Sequence, residues 1–337
     1  MATRPILCID DEPSNLALVK QSLMDHYRLV FARNGHEGLE AVKKHNPALI
    51  LLDVEMPGVN GFDVIRQLKS DPLYRSTPVI FVTSLNQEFD EQKGFDAGAV
   101  DYITKPISPA ILRARVRTHL SLVQAEALET SQRAAIYMLA DAGHYNDEDT
   151  GLHIWRMAAY SKELALHIGW AFDAAEALEL AAPMHDTGKI GIPDAILKKP
   201  GKLTQDEWGV MKTHSQIGYD ILSRSKDPVF QLAAEIALHH HEKCDGSGYP
   251  AGLHRHQIPE SARIVAVADV FDALTVKRPY KDAWPIDRAC DTLVEMSENH
   301  LDKELVTEFI NIMPKIIKTK HTWDERERNR VWYGDIS

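Results

Sequence analysis

Apolar and polar positions alternate in short blocks along the first 120 residues. Pro5–Ile9 is an apolar run that ends at a carboxylate pair, and a helical pattern follows from Pro13 to Met24. Arg28–Ala32 is β-like and Gly35–Lys44 helical. Ala48–Leu52 is a continuous apolar run of the length of a buried strand. Gly61–Lys69 is helical, Pro78–Val82 is another apolar run, Glu88–Ala97 is helical and Asp101–Ile103 is a short strand. Five strands alternating with helices predict a doubly wound parallel sheet of the flavodoxin-like kind, an α/β domain. A long helix is predicted from Ser108 to about Ala142, since no proline follows Pro109 and no glycine precedes Gly143. Its Leu112, Val116, Leu120, Val123 and Leu128 recur at rough helical spacing. That stripe fits packing on the chain's own second domain and fits a dimerising signalling helix equally well. After Gly143 the pattern is helical throughout, with Gly/Pro-rich interruptions, so the second domain is expected to be all-α.

In doubly wound sheets the ligand site lies at the carboxyl ends of the strands. Strand one ends in Asp10-Asp11, strand three in Asp53 and strand four in Thr83-Ser84, and Lys105-Pro106 follows strand five. Clustered carboxylates repel one another unless a hard cation sits among them, and Mg²⁺ with oxygen ligands fits. A phosphoryl group on Asp53 would then meet Mg²⁺, Lys105 and the Thr83 hydroxyl.

The second half holds the histidines, 12 of the 16 lying at or after position 144. Asp149 and His153 are four apart and share a helix face. His185-Asp186 are adjacent and precede Thr187-Gly188-Lys189. His214 is expected inside a helix opened by Thr204-Gln205-Asp206-Glu207, a capping box. His240-His241 end an apolar helix before the loop 245–250, and Asp269 precedes Asp272 by three on another. Imidazole and carboxylate ligands suit Fe, Mn, Co, Ni or Zn, and the lack of thiolates argues against a structural zinc site. An adjacent His-Asp pair can give its imidazole to one metal while the carboxylate bridges to a second. Two metals about 3.5–4 Å apart can activate water and stabilise the leaving oxygen of a phosphodiester. His239 reads as a neighbour rather than a ligand. His144, His167, His254, His256, His300 and His321 read as solvent or surface groups.

Composition narrows the classes. The chain has 337 residues, enough for two domains, and 44% hydrophobic with 26% charged residues is globular, which excludes disorder and collagen-like structure. The net charge of -11 falls almost wholly on the second half: residues 1–125 carry 14 basic and 15 acidic groups. An acidic chain with no basic block argues against a DNA-binding output. Three scattered cysteines (Cys8, Cys244, Cys290) form no disulfide framework. Asp10 comes too early for a signal peptide, and no stretch approaches the ~18 apolar residues of a membrane span, so the expected location is cytoplasmic, with no membrane contact.

Two resemblances follow. "CIDDEPSN", "LILLDVEMPGVNGFDV", "VIFVTS" and "DYITKPIS" resemble the receiver domain of two-component response regulators, over about residues 4–122. The resemblance implies Asp53 as phosphoacceptor. It implies Asp10, Asp11 and the Glu55 carbonyl as Mg²⁺ ligands, Thr83 and Lys105 as phosphoryl contacts, and Tyr102 as the aromatic that reorients on activation. A cognate histidine kinase or a small phosphodonor would supply the phosphoryl group. "HDTGKIGIPDAILKKPGKLT", "MKTHSQIGYDIL", "HHEKCDGSGYP" and "ADVFDALTVKRPYK" resemble the HD-GYP domain, a subgroup of the HD metal-dependent phosphohydrolases, over about residues 134–325. That implies hydrolysis of a cyclic dinucleotide, chiefly cyclic di-GMP, to linear pGpG and in some members to GMP. It implies His153, His185, Asp186 and Asp269 on one metal. Asp186 as bridge, with His214, His240 and His241, would hold the second. Lys189 would stand near the scissile phosphate, and Arg278 and Lys281 would bind substrate. The loop Gly248-Tyr249-Pro250 would either shape the site or touch a partner such as a diguanylate cyclase.

One position departs from the family. Members with three metals carry Glu where this chain has Asp149, one methylene shorter, so a two-metal site is expected, with Asp149 a further candidate ligand. The expected organisation is a receiver domain at 1–122, a linking helix at 108–142 and an HD-GYP domain at 134–330. A mixed cyclic GMP-AMP substrate and a non-catalytic dinucleotide receptor or interaction module are the alternatives. The direction of regulation by phosphorylation is not legible.

Overall fold

The computed structural model describes residues 4–84, 88–144, 152–276 and 282–329. The chain divides into two compact units, Met1–Thr130 and Ser131–Ser337.

In the first unit, strands β1 (Ile6–Ile9), β2 (Leu29–Ala32), β3 (Leu49–Asp53), β4 (Val79–Thr83) and β5 (Asp101–Thr104) alternate with helices. These are α1 (Pro13–Leu23), α2 (Gly35–His45), α3 (Gly61–Ser70), α4 (Glu88–Asp96) and α5 (Pro109–His144). All pairings are parallel, in the order β2-β1-β3-β4-β5, the doubly wound topology expected from the alternation. Side chains alternate across the sheet because a strand has a period of two. Leu7, Ile9, Ile50 and Leu52 therefore enter the layer with Val42, Val64 and Ile65. Ile6, Cys8, Leu49 and Leu51 enter the opposite layer, with Val19, Leu23, Leu112 and Val116.

That second layer corrects the reading of the linking helix. Leu112 and Val116 are buried in the core of the α/β unit itself, so they serve neither the second domain nor a partner helix. Leu128, at the other end of the stripe, is 60% exposed. The stripe drifts because α5 changes neighbours along its 36 residues. Its C-terminal part contributes Ile136 and Ala140 to the core of the second unit.

The second unit is helical: α6 (Leu152–His167), α7 (Phe172–Ala181), α8 (Asp194–Leu197), α9 (Gln205–Lys212), α10 (His214–Leu222), α11 (Pro228–His239), α12 (Glu260–Thr275), α13 (Ile286–Met296), α14 (Lys303–Asn311) and α15 (Met313–Asn329). α6 and α12 run through the middle of its core, with Tyr160, Phe271 and Phe309 packed edge to face. The predicted capping box forms, with Thr204 and Glu207 satisfying each other's backbone donors. The helix it opens, however, is α9, which ends at Lys212. His214 begins a separate helix, α10, after Thr213, where the Thr213 N–H turns back to bond Val210 and Met211 carbonyls. A single period-3.6 pattern crosses the break, which is why the two helices read as one.

Candidate functional site

Two clusters of ligand-type side chains form among the described residues, one in each unit.

In the first unit, parallel register sets the rim. Thr83 pairs with Thr104 across β4 and β5, and the Lys105 amide bonds the Thr83 carbonyl at 2.8 Å. Lys105 is thereby aimed back over the sheet edge. Its Nζ lies 2.7 Å from Asp53 Oδ2 and 3.1 Å from Asp10 Oδ2. Asp10 is held by the Glu12 amide at 2.8 Å and by the Asn15 amide group at 3.0–3.1 Å. Asp11 completes a set of three carboxylates with oxygens within 4.8 Å of one another. Burial, with the Asp10 carboxylate beside it, raises the Asp53 pKa although Lys105 and the Glu55 amide pull it down. The Glu55 amide approaches Asp53 Oδ1 at 3.3 Å, while its side chain accepts from Ser84. Thr83 is buried at the end of β4. Tyr102 is half-buried on β5 and packs edge-on to Phe95 at 6.1 Å. Gly61 permits the close return of α3 to this rim: a Cβ there would lie 2.4 Å from the Asp53 carbonyl oxygen. Asn15 was not singled out in the sequence; its place one turn into α1, on the face toward Asp10, is visible only after folding.

In the second unit, the site gathers around Asp186, which follows a 3₁₀ turn at Ala182–Met184. Asp186 Oδ2 is 3.1 Å from His185 Nε2 and 2.9 Å from Lys189 Nζ. Asp186 Oδ1 faces the other way, 3.3 Å from His214 Nε2 and 3.6 Å from His240 Nε2. His153 on α6 brings Nε2 to 3.5 Å from Asp269 Oδ1 on α12. Asp186, His214, His240 and His241 have ligand atoms within 4.8 Å of one another.

Each of four imidazoles is anchored through Nδ1. His185 bonds the Ala182 carbonyl at 2.9 Å, His214 the Met211 carbonyl at 2.7 Å and His240 the Ala237 carbonyl at 3.0 Å. His153 bonds Asp272 at 2.5 Å. A carbonyl or carboxylate accepts only, so Nδ1 carries the proton, and where the ring is neutral Nε2 presents a lone pair to the site. Burial lowers the pKa of His153 and His185, but the Asp269 and Asp272 carboxylates outweigh it at His153, raising it to about 10, and Asp186 outweighs it at His185, so a cation at those two Nε2 atoms would displace a proton. The result is an arrangement of acceptors facing acceptors. His214 Nε2 and His240 Nε2 are 3.4 Å apart, and the buried Asp186 Oδ1 between them accepts no hydrogen bond. Buried acceptors without donors are costly, and a cation is the group that satisfies all of them. Burial, reinforced by neighbouring imidazoles against the pull of Asp186, holds His214 neutral, with its pKa lowered to about 4, and holds His241 far below its usual range. Neutral imidazole is the metal-binding form. Burial would raise the Asp186 pKa, but Lys189 and His185 outweigh it and keep the carboxylate ionised. The donor set therefore fits a divalent-metal site.

Tyr249 lies against this set. Its ring centroid is 4.8 Å from that of His241 and 6.3 Å from that of His214. Buried Glu242 holds the loop in place by accepting from the Ala251 and Leu253 amides. His239 stands outside the ligand cluster. Asp149, Arg278 and Lys281 lie outside the described residues. Asp272 is marked in the sequence only by its spacing from Asp269, and Arg156 is not marked by any motif; both are buried and linked to His153. Arg156 could have been suspected as a charged residue in the apolar stretch IWRMAAY.

The chain thus joins a carboxylate rim on a parallel sheet to a helical His/Asp cluster. The response regulator receiver domain family matches residues 6–117, and the HD domain family matches residues 119–305. The chain belongs to the HD domain family and carries that domain behind a receiver domain. A probable cyclic di-GMP phosphodiesterase of Vibrio cholerae serotype O1 is 39% identical over 338 residues, covering 90% of this chain and 77% of that protein. The cyclic di-GMP phosphodiesterase response regulator RpfG of Xanthomonas campestris pv. campestris is 40% identical over 306 residues, covering 84% and 81%. The 3'3'-cGAMP-specific phosphodiesterase 2 of Vibrio cholerae is 45% identical over 179 residues, 53% of this chain and 34% of that protein. Among the described residues, no helix is long and apolar enough to cross a membrane.

Proposed function

We propose that the chain is a phosphorylation-regulated phosphodiesterase that hydrolyses cyclic di-GMP to linear pGpG. The observation that carries the reading is the split of the Asp186 carboxylate: one oxygen turns to His185 and Lys189, the other to His214 and His240. A carboxylate divided in this way would be able to serve two ion positions. His153, His185, Asp186 and Asp269 would hold one ion, and Asp186, His214, His240 and His241 the other. Fe or Mn suits the donors in the cell, and Ni, Co or Zn could replace them. Ions held there would supply an activated water and Lewis-acid stabilisation of charge on the phosphodiester.

The chain's own groups do the rest. Lys189, fixed 2.9 Å from Asp186, places a positive charge at the edge of the cluster, where it offsets charge on the leaving oxygen or donates its proton. His153, His185, His214 and His240 are buried, which keeps bulk water from their rings. Arg278 and Lys281 are assigned to the substrate's phosphates or bases. In the receiver, Asp53 would accept the phosphoryl group from a histidine kinase or small phosphodonor, and Asp10, Asp11 and Asp53 would hold the Mg²⁺ that offsets its charge.

The identity of 45% to a cGAMP-specific enzyme over 179 residues favours a second reading, in which the substrate is the mixed dinucleotide. Turnover of a panel of cyclic dinucleotides by metal-analysed protein, with product identification, separates the two. Asp186→Ala should lower metal content and abolish hydrolysis. Full turnover by metal-depleted Asp186→Ala would refute the two-metal reading, and binding of a dinucleotide without turnover by metal-loaded wild type would favour a receptor.

A further inference from the structure

His153 differs from the other anchored histidines. His185, His214 and His240 take their orientation from backbone carbonyls three residues earlier in their own segments. His153 takes its orientation from a side chain on another helix, Asp272 of α12. Asp272 has no exposed surface. Its two oxygens are gripped by the fork of Arg156, with Nε to Oδ1 at 2.5 Å and Nη2 to Oδ2 at 3.0 Å. Arg156 is 1% exposed, and its remaining nitrogen, Nη1, donates to Asp324 of α15 at 3.3 Å. Asp324 lies beyond residue 305, where the HD domain match ends.

A buried ion pair contributes little to stability that apolar side chains of the same volume would not. What it contributes that they cannot is direction. A bidentate guanidinium–carboxylate pair fixes both planes, so Asp272 is locked in one rotamer, and the Nδ1 proton of His153 has one place to go.

We propose that Asp272, Arg156 and Asp324 form a positioning relay that holds His153 Nε2 toward Asp269, and so sets the affinity of one ion position while leaving the other untouched. The proposal rests on the two-metal reading. None of the three touches substrate; they act through His153. The relay also makes the C-terminal helix, outside the matched domain, part of the support of the active site.

The test uses full-length protein stripped of metal and titrated with Mn²⁺. It reads bound ions per chain and the electron paramagnetic resonance signal, which distinguishes a coupled Mn²⁺ pair from an isolated ion. Wild type should bind two ions and show the coupled signal. Asp272→Asn should weaken one ion by about 10- to 100-fold, the usual effect of losing an outer-shell partner, and show the isolated signal while the second ion is retained. Arg156→Lys keeps the charge but loses the fork, and should show the same selective loss. Asp324→Asn, at a side chain about one-third exposed, should keep the fold and shift the same ion by less. The relay is overturned if the Asp272 and Asp324 variants both keep two ions at wild-type affinity with the coupled signal, or if folded variants lose both ions equally. Wild type that binds no ion would overturn the metal-site reading itself.

Discussion

Gly188 offers a direct measure of how closely the metal cluster depends on backbone contact. It follows Asp186 by two residues, and a Cβ built on it would lie 1.9 Å from the carbonyl oxygen of His214 and 2.5 Å from the amide nitrogen of Gly218. Both obstacles are backbone atoms of α10, so no side-chain rotation relieves the clash. Ordinary contact for a Cβ begins near 3.4 Å, so Gly188→Ala must push the start of α10 about 1.5 Å away from the His185-Asp186 turn. Metal–ligand distances tolerate roughly 0.2 Å, and a misplacement of about 1 Å at a catalytic group can cost on the order of 100-fold in rate. Overpacking of this kind typically costs about 1–3 kcal/mol of stability. We therefore expect Gly188→Ala to remain folded with a lowered melting temperature, to lose ions at the position served by His214, and to hydrolyse cyclic di-GMP about 100-fold more slowly. Gly209→Ala on α9 is the control. Its Cβ would meet nothing within 4 Å, and replacing glycine inside a helix should gain roughly 0.5–1 kcal/mol with activity unchanged. Wild-type metal content and turnover in Gly188→Ala would refute the claim that this contact places His214.

Three further outcomes are expected. Beryllofluoride with Mg²⁺ should bind wild type and not Asp53→Ala, and should change turnover by roughly 5- to 150-fold, the effect of a typical coupling of ~1–3 kcal/mol; no change in turnover or oligomeric state would show that the receiver does not switch this site. Asp149→Glu should raise the metal stoichiometry or shift product from pGpG toward GMP, measured by metal analysis and chromatography, whereas an Asp149 that only caps its helix would let Asp149→Ala keep wild-type metal content. Burial raises the Asp101 pKa, but Arg115 and His119 outweigh it and leave the carboxyl below its ordinary value; a depressed folded-state pKa gives stability that is present above the unfolded value of about 3.9 and lost as pH falls through the folded one, so Asp101→Asn should flatten the acid side of the receiver's pH–melting profile, and an unchanged profile would sink the argument.

How much of this was legible beforehand depended on whether the information is local. The five strands and their parallel, doubly wound arrangement were, because Leu49–Leu52 and Val79–Val82 are apolar runs that only a sheet covered on both faces can bury, and because ligand-type residues fall just at the strand ends. The imidazoles and carboxylates around Asp186 were, because metal chemistry restricts residue type so narrowly that His185-Asp186 and His240-His241 stand out wherever they fold. Supporting residues were not. Asn15, Arg156 and Glu242 have ordinary roles in most proteins, and what distinguishes them here is a partner distant in sequence: Arg156 and Asp272 are 116 residues apart. The break at Thr213 was invisible for a different reason. Two consecutive helices can share one apolar period, and only the turn of the backbone at Thr213, needed to bring His214 back over Gly188, separates them. The stripe on α5 misled for the same physical cause in reverse. One continuous helix buries Leu112 in one core and Ala140 in another, so its apolar face is set by two different neighbours. A periodicity argument assumes one neighbour per helix, and it fails wherever a helix belongs to two domains. The residues between the two cores, where Leu122 and Leu128 are each 60% exposed, are the part of α5 whose pattern neither core explains.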